Sequence, residues 1–117
     1  MITLKKVIQD LKLEVVSGLS MERPVVAGYA SDLLSSVMSR AGQNYVWVTL
    51  QSHMNVVAVA SLVGVSGVII TEGSRPDADT IQRASREDVI LMLTPHSTFT
   101  TVAALAALGV GGKPDKE

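Results

Sequence analysis

Three apolar runs, Tyr45–Leu50, Val65–Thr71 and Val89–Leu93, each end in a short polar cluster that leads towards a segment of helical composition. A strand with one face in water alternates apolar and polar residues. These runs are apolar almost throughout, which predicts strands covered on both faces. The helical segments are Asn55–Val63 closed by Gly64, a helix starting at Pro76-Asp77, and Thr98–Leu108 closed by Gly109. The resulting β-α-β-α-β-α order predicts a parallel sheet.

The first part of the chain is less regular. Leu4, Val7, Ile8 and Leu11 recur at i, i+3, i+4 and i+7, predicting a surface helix over Thr3–Lys12. Leu13–Ser17, closed by Gly18, and Pro24–Gly28 read as short strands, with Ser20-Met21-Glu22-Arg23 as a turn between them. Asp32 is positioned to cap a helix through Ser39, with Gly42 as its stop. These first strands are expected to pair antiparallel at an edge. The predicted fold class is α/β: a mostly parallel mixed sheet with helices on its faces, in three layers. Residues 1–117 are expected to form a single domain, with a core over about 13–109 and a flexible tail over 110–117.

The hydrophobic content of 47% contains one Trp, one Phe and two Tyr, so the core must be built from aliphatic side chains. Ten basic and eleven acidic residues give a net charge of −1, and no basic run is present, which argues against nucleic-acid binding. The absence of cysteine excludes disulfides, thiolate zinc sites and cysteine nucleophiles, and fits a cytoplasmic setting. No stretch approaches the ~20 apolar residues of a membrane span. Gly109-Val110-Gly111-Gly112-Lys113 resembles a phosphate loop but has Ala107 where the first glycine is required, and it follows a helix where a strand should precede it. No cofactor is expected.

Three polar junctions follow the three runs: Gln51-Ser52-His53, Thr71-Glu72-Gly73-Ser74, and Thr94-Pro95-His96-Ser97-Thr98. Parallel strands would bring them to one sheet edge, where helix-start amides suit an anion. Gln51, Ser52, His53, Asn55, Thr94, His96 and Ser97 are therefore the candidate ligand-binding residues. The alternative is that Ser52, Asn55, Ser97 and Thr98 merely cap helices. His53 and His96 have the residue type for acid–base or metal chemistry, but no ligand-pair spacing and no locally paired nucleophile accompany them, so no catalytic or metal residue is assigned. Two helical segments, Val56–Val63 and Thr101–Leu108, are apolar nearly all round. Either one of them meets another chain, giving a homodimer, or the domain itself covers both.

From about Leu13 to Gly109 the chain resembles a DRTGG domain. The resemblance is carried by Met21–Tyr29, Ser31–Met38, the Trp-x-Thr-x-Gln-x-His-x-Asn stretch within Val46–Ala60, and Gly67–Ile70; the five-letter pattern that names the family is absent. The resemblance implies a fold similar to the amino-terminal domain of HPr kinase/phosphorylase, which lacks that kinase's phosphate loop. Similar proteins accompany cystathionine-β-synthase-type domains in a regulatory pyrophosphatase, or phosphotransacetylase domains, or stand near iron-only hydrogenase genes. A hydrogenase or an enzyme of phosphate metabolism is thus the implied partner enzyme. Some similar proteins carry a serine kinase label, against which the missing catalytic half argues. The expected function is a non-enzymatic regulatory or scaffolding module with a nucleotide or small-anion ligand. The competing reading is a small phosphotransferase or hydrolase using His53 or His96.

Overall fold

The computed structural model describes residues 1–114. Five helices and five strands alternate as α1 (Leu4–Leu11), β1 (Glu14–Ser17), β2 (Ala27–Ala30), α2 (Leu34–Arg40), β3 (Tyr45–Thr49), α3 (Asn55–Val63), β4 (Gly67–Ile70), α4 (Ala78–Arg86), β5 (Leu91–Leu93) and α5 (Thr98–Leu108). The strands form one mixed sheet in the order β1-β5-β4-β3-β2. β2, β3, β4 and β5 run parallel, and β1 pairs antiparallel with β5 at the edge. The predicted α/β fold with a mostly parallel sheet is borne out.

Strand pleating divides the core in two. Trp47, Val68, Ile70, Leu91 and Leu93 point to one face and meet Val37 of α2, Val56, Val57, Val59 and Ala60 of α3 and Ala84 of α4. Val46, Val48, Ile69, Ile90 and Met92 point to the other and meet Leu4 and Val7 of α1 and Leu105 of α5. All four residues of β4 are buried, as an uninterrupted apolar run requires.

Three local expectations are corrected. The strand expected over Pro24–Gly28 lies at Ala27–Ala30, because the preceding residues pair elsewhere: Pro24 bridges Thr3, and the Val25 N–H donates to the Ile2 carbonyl at 2.9 Å. β2 pairs with β3 in parallel, so only β1 is antiparallel. α2 has Leu33 at its N-cap, without a side-chain hydrogen bond, and ends at Ala41 before Gly42 is reached. By contrast Gly64 and Gly109 close α3 and α5 in the left-handed region, as read from the sequence. Gly18 follows β1 at φ +89°, and a Cβ there would lie 2.5 Å from Ile90 Cγ1, so that position demands glycine. The tail expected from residue 110 begins on the sheet: the Gly28 N–H donates to the Gly111 carbonyl at 2.8 Å. Its last three positions, 115–117, lie outside the described residues.

Ile69 is fully buried at the centre of the second core cluster, whereas Leu62 on α3 is 74% exposed. Ile69→Ala is expected to lower unfolding free energy by about 2–5 kcal/mol, and Leu62→Ala by less than about 0.5 kcal/mol. Urea denaturation with unchanged m-values measures both.

Candidate functional site at the carboxyl edge of the sheet

Because β3, β4 and β5 are parallel, the loops Leu50–Met54, Thr71–Asp77 and Thr94–Ser97 all leave the same edge of the sheet. The loop after β2 joins them. Asp32 does not cap α2; its Oδ1 accepts from Thr49 Oγ1 at 2.8 Å and from the Leu50 N–H at 2.9 Å. Gln51 strengthens that junction, with its Nε2 donating to the Asp32 carbonyl at 3.3 Å. Ser74 Oγ donates to Ser52 Oγ at 3.2 Å, tying the loop after β4 to the one after β3.

The next junction uses backbone geometry that residues seldom adopt. Glu72 and Gly73 have φ of +64° and +72°. In this conformation their N–H groups donate to the carbonyls of His96 at 2.8 Å and Thr94 at 3.1 Å, folding the loop across the end of β5. The Glu72 carboxylate then accepts from the Thr98 N–H at 2.9 Å, and the Thr71 and Thr98 hydroxyls bond at 2.6 Å.

Most helix-start amides that the sequence leaves open to an anion are therefore satisfied within the domain. At α5, Thr98 N–H has Glu72, and Thr100 N–H has Ser97 Oγ at 3.1 Å. At α3, His53 does what the expected serine or asparagine cap would do: its Nδ1 accepts from the Asn55 N–H at 3.2 Å and its carbonyl from the Val56 N–H. At α4, Asp77 accepts from the Thr80 N–H at 2.8 Å.

Among the seven candidate residues, Thr94 and His96 line one cavity of about 380 Å³, beneath the loop after β5. Gln51, Ser52 and His53 stand on the loop after β3, separated from that cavity by the β4 loop, Asn55 opens α3, and Ser97 serves as the N-cap of α5, so none of these five joins Thr94 and His96 in lining it. The cavity also receives Asp10 and Lys12 from the end of α1 and Thr100 from α5. A second cavity of about 400 Å³ shares Lys12, Thr94 and Pro95 with the first and adds Glu14, Ser74 and Arg75. Each volume falls within the range of small-molecule sites. Lys12, Glu14 and Arg75 escape any reading by motif because Arg75 lies 61 positions from Glu14 in sequence. Only the antiparallel placement of β1 beside β5 brings them together. Among the described residues, no group of three or more His, Asp or Glu side chains is arranged to hold a metal ion.

The chain is thus a small α/β domain with interlocked loops and a pair of cavities at the carboxyl edge of its sheet. The chain belongs to the DRTGG domain family, whose model matches residues 6–108. It is similar in fold to the CBS and DRTGG domains of the regulatory region of Clostridium perfringens pyrophosphatase, a structure complexed with the activator diadenosine tetraphosphate. The TM-score is 0.72 at 18% identity, over 96% of this chain and 47% of that one. This chain thus spans about half the length of that regulatory region. No curated protein matches it in sequence.

The cap on α4 makes one pH effect explicit. Asp77 is held below its ordinary pKa of 3.8, chiefly by the Thr80 N–H and then by the Thr80 hydroxyl, with His53 a minor contributor. A carboxyl lowered on folding stabilises the fold above its unfolded pKa and loses that contribution as pH falls through the folded value. Asp77→Asn keeps a capping oxygen but does not titrate there. The melting-temperature advantage of the natural protein over Asp77→Asn is expected to shrink as pH falls from 7 to below about 3.5, measured by thermal denaturation.

Proposed function

We propose that this chain is a non-enzymatic regulatory module that senses a nucleotide or small anionic metabolite and transmits its presence to a partner enzyme. The observation that carries this reading is the cavity under the loop after β5, which Thr94 and His96 line together with Lys12 and Thr100. Lys12 and threonine side chains beside apolar walls, with the Asp10 carboxylate of the lining paired to Lys6, suit an anionic ligand with an organic portion. Membership of the DRTGG family and a fold neighbour from a nucleotide-activated regulatory region support it. Gln51, Ser52, His53, Asn55 and Ser97 stand along the same edge as candidate contacts for a ligand that extends beyond this cavity. The enzymatic alternative fares worse: His53 Nδ1 is occupied by the Asn55 amide, and neither imidazole is bonded to a carboxylate or nucleophile among the described residues.

The partner reading divides the two apolar helices. α3 buries Val56, Val57, Val59 and Ala60 in its own domain, while α5, with no charged residue, leaves Phe99 85% and Val102 39% exposed. We assign the homodimer contact to that face of α5. The absence of cysteine fits action in the cytoplasm.

Diadenosine tetraphosphate or ATP is expected to raise the melting temperature of the natural protein, with His96→Ala reducing the shift, and neither nucleotide is expected to be turned over. Thermal shift with a parallel phosphate-release assay measures this; sustained release abolished by His53→Ala or His96→Ala would establish the enzymatic reading instead. Light scattering at micromolar concentration is expected to give a dimer for the natural protein and a folded monomer for Val102→Glu. A clean monomer for the natural protein would remove the dimer assignment.

A further inference from the structure

Arg75 reaches the end of β1 by a route that the fold takes trouble to make. The two positive-φ residues before Ser74 turn the loop after β4 over the end of β5, and β1 is the next strand out in the order β1-β5-β4. There the Arg75 guanidinium meets Glu14 end-on, Nη1 donating to Oε1 at 3.1 Å and Nη2 to Oε2 at 3.2 Å. Both side chains are more than half exposed, and an ion pair so open to water contributes little to folding. Separating it therefore costs little.

The same cavity is lined by Lys12, Ser74 and Thr94. Lys12 sits in the left-handed C-cap position of α1, and its ammonium is in no ion pair among the described residues, while neighbouring Asp10 is paired with Lys6 at 3.0 Å. A guanidinium fork that already grips two oxygens of a carboxylate has the geometry to grip two oxygens of a phosphate, which carries the larger charge. The adjoining cavity, sharing Lys12, Thr94 and Pro95, has Leu11, Leu13 and Ala104 on its walls for an uncharged portion.

We infer that Arg75 is the phosphate clamp of this module, that Glu14 occupies the clamp when no ligand is bound, and that the ligand class is a phosphorylated organic metabolite whose phosphate displaces the Glu14 carboxylate while Lys12 supplies the second cation. This rests on reading the carboxyl edge as a ligand site and specifies the class of ligand and its regulation. Arg75 also holds the Glu14 carboxyl below its ordinary value, first by hydrogen bonding and then by charge, so the latch is ionised and closed at neutral pH.

Isothermal titration of the full chain with ATP, diadenosine tetraphosphate and inorganic pyrophosphate tests the clamp. For the probes that bind, Arg75→Gln is expected to weaken affinity by about tenfold or more, with Arg75→Lys in between because it keeps charge without the fork. Glu14→Gln is expected to tighten affinity several-fold by freeing the fork. Both positions are exposed, and unchanged melting temperatures without ligand would show that the variants fold. If Arg75→Gln and Glu14→Gln bind like the natural protein while His96→Ala binds more weakly, the clamp is overturned and the site at the carboxyl edge stands. If no probe binds the natural protein, both are overturned.

Discussion

Burying the central strands on both faces is the constraint from which the rest of this structure follows. Val46 and Val48 face one cluster and Trp47 the other, and β4 shows the same alternation with Ile69 against Val68 and Ile70. A sheet of this kind needs a helix layer on each side, and parallel strands need a crossover between each consecutive pair. Both needs are met by the same segments. The crossovers place every strand-to-helix loop of the parallel part on one edge, so a binding edge arises from core packing before any ligand is considered.

That edge is held together by side chains of one loop satisfying the backbone of the next. Asp32 serves Leu50, Ser74 meets Ser52, and Glu72 serves Thr98, so four consecutive loops form a linked row. A row of this kind is preorganised, and it also removes most open amides from the helix starts. The cavities of this edge lie instead among side chains at its β1–β5 end, where Lys12, Arg75 and His96 stand around Thr94 and Pro95. Glu72 illustrates the trade: a left-handed residue other than glycine is unfavourable locally, and two interloop hydrogen bonds hold it there.

α3 and α5 show how similar compositions meet different fates. Neither carries a charged residue, yet α3 lies over the first core cluster between α2 and α4 and buries four residues there. α5 packs beside α1 alone on the opposite side, so Leu105 and Thr101 are covered while Phe99 and Val102 are left in water. Charges introduced at Val59 or Leu105 would enter the core, and only the exposed positions of α5 can report on association. Three helices cover one face of the sheet and two the other, which is the source of the uncovered surface.

Local chemistry in the sequence determined the element order, the parallel character of the latter sheet and the ends of α3 and α5, because apolar period, helix length and closing glycines act over a few residues. The family resemblance was legible in Met21–Tyr29 and in the run from Val46 to Ala60. Tertiary structure alone decided that Asp32 ties a strand end in place of capping a helix, that His53 Nδ1 takes the Asn55 N–H at the start of α3, and that β2 joins the sheet in parallel. It alone brought Lys12 and Glu14 beside Thr94 and Arg75. These pairings join residues tens of positions apart through the antiparallel placement of β1, and a contact set by sheet order leaves no local period or spacing for a sequence to display.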